Sequence, residues 1–588
     1  MKMKKILMAL SLSVMATFAL AQDANMPRVQ KNAKGTQLII DGKPFLMLGG
    51  ELHNSSAGSA HYIAPIWKKM ADKNLNTVIA TVSWELFEPV EGQYEYDLVD
   101  SIIEGARKEN LKLVLIWFAS WKNTESTYAP EWVKKDSKRF PRAKTSDGVT
   151  LNMISPLSEN AMKADAKAYA ALMRHIKEVD SKDHTVVMMQ VENELGMFNM
   201  GNFMRPGDNH SQRDYSDAAN KAFNSQVPAE LIAYLKAHKN ELHPELQKVW
   251  KANGNKEKGT WEEVFGKGQP KPDFKEGSTE WQITYPYYTE ELFSAWNYAK
   301  YVGEVTRQGK AEYPIPMYVN AWMKQESGPE PGKYPSGAPF AHTFDIWRAA
   351  APAVDFFAPD IYIVDFIDWV AKEYQFSGNP LFIPETTVDP SAAARAFYVY
   401  GKYDALCYSP FGIDGNWYFN NAAEGDNSIQ LAYGALKNIM PEILKYQYTD
   451  QMDGLFINKN KTTDKVDMGK YTISIRRSST QGAENLFGMS VDEVKQSDVA
   501  AGLLVIQTGE DEFLIAGGIG GLSVVIEKSP KSKAEHISYA SVDQLTFDAN
   551  GKELRHRLNG DEASFSVATI PAGQVGIYRI KLFEYYSI

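Results

Sequence analysis

Two segments of the chain each contain a glutamate at the end of an apolar run typical of a β-strand. Residues 190–196 contain Glu194, and residues 382–387 contain Glu385. Hydrolysis of a glycosidic bond needs two such groups: a protonated carboxyl for the leaving oxygen and an ionised carboxylate on the opposite face of the sugar. In a retaining mechanism the two stand roughly 5–5.5 Å apart, and the ionised group forms a covalent intermediate. This chemistry requires the fold to bring both segments to one cleft.

The surrounding sequence predicts a fold that meets this requirement. Between residues 45 and 411, eight short apolar runs alternate with amphipathic helical stretches. This alternation favours a parallel sheet closed into a (β/α)8 barrel of the TIM type. The predicted strands are 45–50, 77–82, 112–118, 185–191, 315–320, 356–361, 381–384 and 406–411. Barrel enzymes carry catalytic groups at the carboxyl ends of their strands, so we predict Glu194 as acid/base and Glu385 as nucleophile, facing each other across the mouth.

Three further segments complete the predicted organisation. An Asp-Gly pair between the apolar runs 36–40 and 44–49 predicts a hairpin before the barrel. A long polar insertion at about 197–290 either shapes the cleft rim or forms a surface excursion, and we favour the rim. We predict that the catalytic barrel spans residues 22–445. From 446 to 588 the pattern changes to short alternating strands with Gly turns, which predicts an all-β, sandwich-like domain.

The first 21 residues have the features of a cleavable signal peptide. Three lysines within the first five residues precede a mostly apolar run, and Ala19-Leu20-Ala21 has the small-x-small form of a cleavage site. We therefore expect cleavage before Gln22 and export to the periplasm or the medium. The apolar run is too short to cross a bilayer comfortably.

Charge and cysteine content narrow the classes of partner. The formal net charge is −10, and loss of residues 1–21, which hold three Lys and no acids, makes it −13. An acidic protein is a poor candidate for binding nucleic acid or an anionic membrane, so we expect a neutral carbohydrate substrate. Cys407 is the only cysteine, and the ten His have no metal-ligand spacing, so we predict no disulfide, metal or cofactor. The oligomeric state is not indicated.

Several motifs resemble glycoside hydrolase family 35, which contains retaining β-galactosidases. The similar segments are 42–45 and 49–53 for its first strand, 76–78, 84–89 and 91–94 for its "NTV … W-N-x-H-E-P … G-x-Y/F" stretch, and 190–196 for its "Q-x-E-N-E-Y/F-G" motif. The resemblance covers about residues 30–420. The β-domain behind it looks like that of a bacterial branch whose members include enzymes releasing galactose from plant cell-wall glycans. The resemblance implies exo-β-galactosidase activity by double displacement, without a cofactor.

Four positions depart from the family pattern. Glu85 and Phe87 stand where the family has Asn and His, and Thr81 stands where it has Tyr. If the Trp residues align at Trp121, Ser120 replaces a Glu that holds galactose hydroxyls in the family. The catalytic pair is thus preserved while the sugar pocket is rebuilt.

We expect residues at strand ends to form the rebuilt pocket. Charged and amide groups can bind sugar hydroxyls, and indole faces can stack on the ring. Asn193, beside the predicted acid, is expected to bond the sugar 2-hydroxyl, and Asp360 is either a ligand or a hydrogen-bond partner of one. The full candidate set is Glu51, Glu85, Trp121, Lys122, Asn123, Asn193, Asn320, Tyr362 and Trp417.

Three alternative functions stay open at this point. The same mechanism could act on another β-linked sugar, such as a glucoside, arabinoside or mannoside. A non-catalytic glycan-binding protein is disfavoured by the intact Glu194 and Glu385. A metal-dependent hydrolase of another bond is disfavoured by the lack of a ligand cluster in the sequence, and insensitivity to chelators would test it.

Overall fold

The computed structural model describes residues 25–198, 211–267, 289–322, 331–332, 334–364, 367–415, 422–477, 498–558, 560–563 and 566–587. The predicted signal segment and Trp417 lie outside these residues. Across the described ranges, no helix combines the length and apolarity needed to cross a membrane.

Eight parallel strands form the predicted barrel. They are Met47–Glu51, Thr77–Ser83, Lys112–Lys122, Val186–Asn193, Met317–Trp322, Phe356–Asp360, Phe382–Thr386 and Cys407–Pro410. Their order in the sheet is six-five-four-three-two-one-eight-seven. The barrel closes between strands six and seven, where the Ile361 N–H donates to the Glu385 carbonyl at 2.9 Å. All eight predicted strands are confirmed, and only the third runs more than two residues beyond its predicted end.

The strands are apolar on both faces because each face is covered. Inward side chains such as Ile79, Ile116 and Phe356 fill the barrel interior. Outward side chains such as Val78 and Leu115 belong to the larger core beneath the helices. Continuous apolar runs are what a parallel sheet covered on both sides requires.

The helices follow the predicted rhythm with one difference. They are Ala60–Ile63, Ile66–Asp72, Trp84–Phe87, Asp97–Lys108, Glu131–Lys135, Glu159–Asp180, Thr289–Glu312, Phe344–Ala350, Ile367–Tyr374, Ala392–Lys402 and Ala422–Tyr446. Helix Asp97–Lys108 is amphipathic, as predicted for these stretches, and buries Ile102 and Ile103. The difference lies at Pro65, which divides the helical stretch after the first strand into Ala60–Ile63 and Ile66–Asp72, because proline lacks the N–H that a helix interior needs.

The N-terminal hairpin closes the bottom of the barrel. Strands Arg28–Lys31, Thr36–Ile40 and Lys43–Phe45 form a small antiparallel sheet. Asp41 and Gly42 have φ of 51° and 73°, as a tight hairpin turn between twisted strands requires. The return strand is shorter than predicted, because the chain joins the barrel at Met47. Leu38 and Ile40 pack against the interior side chains of the barrel.

The described part of the insertion lies on the outside of the barrel. Its helices are Asp217–Phe223, Ala229–Ala237, Pro244–Ala252 and Trp261–Phe265. Asp345 on helix Phe344–Ala350 accepts from the Tyr234 hydroxyl at 3.3 Å and from the His243 N–H at 2.7 Å. A contribution of the insertion to the cleft rim stays a prediction, and residues 199–210 and 268–288 lie outside the described residues.

The C-terminal part is the predicted β-sandwich. The larger antiparallel sheet contains Met452–Ile457, Ala501–Gly509, Glu512–Ile519, Val575–Tyr585, His536–Phe547 and Glu553–Arg557, in spatial order. The smaller contains Thr463–Met468, Tyr471–Arg476, Leu522–Lys528 and Ala568–Ile570. Leu503 and Ile515 of the first sheet share one buried cluster with Ile473 and Val524 of the second, which defines two packed layers.

Three glycines bring the two domains into close contact. Helix Ala392–Lys402 packs on the larger sheet, where a Cβ at Gly502 would lie 2.0 Å from the Ala394 carbonyl oxygen. Cβ atoms at Gly401 and Gly454 would each lie 2.5 Å from a carbonyl oxygen of the opposite element. Because no real side chain tolerates these distances, glycine is required on both sides of the contact.

Candidate active site

The structure brings the two predicted catalytic glutamates together at the barrel mouth. Glu194 follows strand four directly and Glu385 lies in strand seven, and each side chain is 3% exposed. Carboxyl oxygens of Glu194, Glu385 and Asp360 lie within 4.8 Å of one another. This spacing agrees with the short separation of roughly 5–5.5 Å that a retaining mechanism uses.

An unusual backbone at the end of strand four directs Glu194 into the mouth. Glu192 and Glu194 have φ of 63° and 45°, which is the left-handed region that side chains other than glycine rarely adopt. Asn320 fixes this turn by accepting the Glu194 N–H on its side-chain oxygen at 3.0 Å. Strained backbone of this kind persists where surrounding contacts over-determine it, as at active sites.

The surroundings of Glu194 favour its protonated form. Burial, followed by the charge of Glu385, raises its pKa to about 7, against the lowering effects of Lys122 and a hydrogen bond with Asp360. Asn123 donates a side-chain hydrogen bond to Oε2 of Glu194. The carboxyl is therefore able to act as a proton donor near neutral pH.

Glu385 has the opposite environment, since donors surround its carboxylate. The Tyr362 hydroxyl donates to Oε2 at 2.7 Å, and the amides of Asn193 and Asn320 donate to Oε1 at 3.1 and 3.4 Å. Donors of this kind stabilise the negative charge of an ionised carboxylate. The two glutamates thus differ in the way that an acid and a nucleophile must differ.

Asp360 is the third carboxyl of the mouth. It accepts from the Asn320 amide at 2.8 Å, so one asparagine contacts all three acids. Burial, and after it the charges of Glu385 and Glu194, raises the pKa of Asp360 well above its ordinary value. Asp360 thus lies beside the two predicted catalytic glutamates, and its Oδ1 has no hydrogen-bond partner among the described residues.

Glu51 and Lys122 form the inner wall of the mouth. Glu51 is 1% exposed, and neither of its carboxyl oxygens has a hydrogen-bond partner within the described ranges. Burial and then the charge of Glu385 raise its pKa well above the ordinary value. Burial lowers the pKa of Lys122, but the neighbouring carboxyls, Glu194 first, outweigh burial and raise it. An ammonium group therefore lies beside an acid whose oxygens lack partners.

Two of the predicted pocket residues, Trp121 and Glu85, bond to protein groups away from the two glutamates. The Trp121 indole has no exposed surface, donates to the Ile154 carbonyl at 3.1 Å and packs edge-on against Tyr298 and Tyr301. It is therefore enclosed in the core and has no face open to a sugar. Glu85 lies at the rim, where its carboxylate pairs with the Lys134 ammonium at 2.7 Å.

The end of strand three explains the position of Trp121. The register between strands three and four shifts between Trp117 and Lys122. Ser120 turns towards helix Glu159–Asp180, where its hydroxyl bonds Asp165 at 2.7 Å. Because of this irregularity, the family alignment at Ser120 does not identify the group that contacts a sugar at this point.

Sequence reasoning missed a second pair of acids, Asp165 and Glu192, directly behind the mouth. Glu192 accepts the backbone N–H groups of Ser120 and Trp121 at 3.2 and 2.8 Å. Asp165 accepts from the Trp117 indole at 2.8 Å. An available signal was the place of Asp165 on the Ala-rich, buried face of its helix.

The mouth carboxyls Glu194, Asp360 and Glu385 are the group that could geometrically hold a cation in the part of the chain described. Amide and hydroxyl donors already bond this group, and the Lys122 ammonium supplies a positive charge beside it. This donor set suits proton and glycosyl transfer better than metal ligation, so we assign no metal to it.

A (β/α)8 barrel with opposed glutamates after strand four and in strand seven has the arrangement that retaining glycoside hydrolysis requires. Residues 37–311 match the model of glycosyl hydrolases family 35, and residues 429–568 match a domain of unknown function, DUF5597. The barrel of this chain is therefore similar to glycosyl hydrolase family 35 over residues 37–311.

Two curated relatives are named beta-galactosidases. A beta-galactosidase of Xanthomonas manihotis is 26% identical over 211 residues, which cover 33% of this chain and 33% of the relative. A beta-galactosidase of Arthrobacter sp is 30% identical over 120 residues, which cover 20% and 16%. The chain thus spans a third or less of the length of these curated relatives. The crystal structure of a beta-galactosidase from psychrophilic Marinomonas ef1 has a TM-score of 0.42 at 11% identity and covers 68% of this chain and 61% of that one.

Proposed function

We propose that this protein is a retaining exo-β-galactosidase that hydrolyses terminal β-galactosides of plant-type oligo- or polysaccharides. One observation carries the proposal: a carboxyl with a pKa of about 7, Glu194, faces a carboxylate bonded by three donors, Glu385. Their separation and their opposite environments support double displacement.

In the first step, a Glu385 oxygen attacks the anomeric carbon while Glu194 gives its proton to the aglycone oxygen. The glycosidic bond breaks, and a glycosyl ester on Glu385 forms. In the second step Glu194, now ionised, takes a proton from water, whose oxygen attacks the same carbon and releases Glu385. The side-chain oxygen of Asn193 is buried without a partner in the described structure, which supports a bond to a sugar 2-hydroxyl.

The enclosed inner wall supports action on a terminal sugar. Glu51 and Lys122 are both less than a tenth exposed, so this end of the mouth has little surface open to solvent. Buried polar atoms without partners are costly, and sugar hydroxyls would supply the donors that the Glu51 oxygens lack.

Galactose as the sugar rests on the relatives named beta-galactosidase. A second candidate is another β-linked sugar, and the position of Ser120 supports it. The Ser120 hydroxyl bonds Asp165 and Tyr301 on the helix side, so this residue gives the pocket no acid for galactose hydroxyls.

We also infer that the enzyme is exported to the periplasm or the medium. The lysines and apolar run of residues 1–21 support this. N-terminal sequencing of the protein recovered from periplasmic and culture fractions tests it. A mature chain beginning at Gln22 is expected, and an intact start in the cytoplasm would contradict it.

A panel of para-nitrophenyl glycosides, scored as kcat/KM with the mature chain, tests the sugar. We expect a clear preference for the β-galactoside. Preference for another β-glycoside would support the proposed mechanism but show that the sugar is not galactose. Lack of activity on galactosides and on galactose-capped oligosaccharides would contradict the proposal.

Two alanine variants test the roles. Glu194→Ala should keep activity on substrates with activated leaving groups and form a β-glycosyl azide when azide is added. Glu385→Ala should lose activity on every substrate by about 10⁴-fold or more, with azide giving the inverted α-azide. Identical behaviour of the two variants would refute the assignment.

A further inference from the structure

The acids behind the mouth, Asp165 and Glu192, are fully buried and take no part in the proposed chemistry. Their side chains are hydrogen-bonded to each other, and we call them the rear pair. Two carboxyl groups in direct contact cannot both be ionised without strong repulsion, so a bond between them contains a proton. Burial and then the charge of Asp165 raise the pKa of Glu192 well above its ordinary value, which favours the protonated form of Glu192.

The contacts of the rear pair end on the segment 120–123. Glu192 uses its two oxygens separately, one for the Ser120 N–H and one for the Trp121 N–H. Asp165 accepts from the Ser120 hydroxyl, which also contacts the Tyr301 hydroxyl at 2.6 Å. Glu192 thus holds the backbone of Ser120, and Asp165 holds its side chain.

The same segment carries two groups that act on Glu194. Lys122 and Asn123 follow Trp121 directly, and the Asn123 amide donates to the Glu194 carboxyl. Asn123 and Thr124 have left-handed φ of 49° and 69°, so this turn is strained and needs support. We propose that the rear pair is a positioning device: it fixes segment 120–123 so that Asn123 and Lys122 set the protonation of Glu194.

This inference rests on Glu194 being the acid/base, and its consequence has a definite sign. Asn123 and Lys122 both stabilise the ionised form of Glu194, the first by a hydrogen bond and the second by its charge. Loss of their alignment should therefore raise the pH at which Glu194 loses its proton. The other titratable groups facing Glu194 are Glu385, Asp360, Glu51 and Tyr362, and none of their hydrogen bonds in the described structure reaches the rear pair. Tyr169 and Tyr301 face the rear pair itself.

The experiment compares Glu192→Ala with Glu192→Gln. The alanine removes both acceptors, and the glutamine keeps one acceptor and the contact with Asp165. We expect the basic limb of the kcat/KM profile to move up by about 0.5–1 pH unit in Glu192→Ala and by less in Glu192→Gln. Asn123→Ala should reproduce the upward shift, and combined with Glu192→Ala it should add little to it.

A second readout does not depend on activity. Water-soluble carbodiimide modifies protonated carboxyls, so labelling of the Glu194 peptide against pH, followed by mass spectrometry, reports the same titration. Asp345→Ala is the matched control, because Asp345 is a buried acid with donors on the outer insertion and should leave the titration unchanged.

Folded Glu192 variants whose Glu194 titration matches the unmodified protein would overturn the inference. If Glu192→Ala does not fold, Glu192→Gln decides alone by the same comparison. An inactive unmodified enzyme would contradict the proposed function while the labelling still tests the rear pair.

Discussion

The barrel carries two groups of buried acids on opposite sides of the end of strand three, and they differ in how their oxygens are bonded. At the mouth, both oxygens of Glu51 and one of Asp360 have no partner in the described structure. In the rear pair, each of the four carboxyl oxygens accepts a hydrogen bond from an indole, a hydroxyl or a backbone N–H. Both groups of acids are buried, but only in the rear pair does every carboxyl oxygen have a hydrogen-bond donor.

We infer from this difference that the mouth acids can bind a ligand, whereas the rear acids stabilise the arrangement of the chain. A buried acceptor without a donor destabilises the empty protein, and a ligand hydroxyl can supply that donor. A buried acceptor with all of its donors stabilises one arrangement of the chain and has no capacity left for a ligand. We therefore expect mouth acids to affect activity and rear acids to affect stability and alignment.

The largest expected effect is on stability. Asp165→Ala leaves the Trp117 indole and the Ser120 hydroxyl without their shared acceptor. We expect the free energy of unfolding to fall by about 3 kcal/mol, measured by urea denaturation. Glu51→Ala, which removes a buried acid without partners, should lower it by less than about 1 kcal/mol. Equal losses in both variants would remove the distinction between the two groups.

Glu51→Gln should affect activity instead. The substitution keeps the shape but replaces one carboxyl oxygen at the inner wall by an amide N–H₂ donor, so kcat/KM should fall by about 100-fold with an unchanged melting temperature. Kinetics on the preferred glycoside and differential scanning calorimetry measure the two quantities. A fall in melting temperature without a fall in kcat/KM would place Glu51 with the supporting acids.

The raised pKa of Glu194 determines the direction in which kcat/KM and stability change with pH. Because its pKa is raised to about 7 in the folded protein, the acid form persists at neutral pH and is lost as pH rises through 7. The kcat/KM should decline about tenfold per unit at higher pH. The same shift makes the folded state bind more protons than the unfolded state between pH 4.5 and 7, so stability falls as pH rises across that window. Glu194→Gln should reduce this decline, and an identical decline would contradict the raised pKa.

The smallest effect is expected at the rim. Glu85 is bonded to Lys134, and both side chains are about a third exposed, so screening by water limits their interaction. Glu85→Gln should change kcat/KM by less than about 3-fold, in contrast to the same substitution at Glu51. A loss comparable to that of Glu51→Gln would restore Glu85 as a sugar-binding residue.

The sequence predicted the parts of this site that depend on periodicity. Apolar runs and their order located the ends of strands four and seven, and with them Glu194 and Glu385. The same reasoning failed at Trp121, because a register shift in strand three interrupts the alternation that spacing assumes. It also missed Glu192 and Asp165, whose contact joins a strand to a helix and has no local pattern.

The glycines between helix Ala392–Lys402 and the β-domain have a consequence for how such chains diversify. The helix follows the strand of Glu385, and the Ala500 N–H of the β-domain donates to Ser391, in the loop between them, at 2.9 Å. A hybrid made from the barrel of one homologue and the β-domain of another would have to match Gly401 with Gly454 and Gly502. Recombination at this junction is therefore restricted, and we expect the two domains to be inherited as one unit.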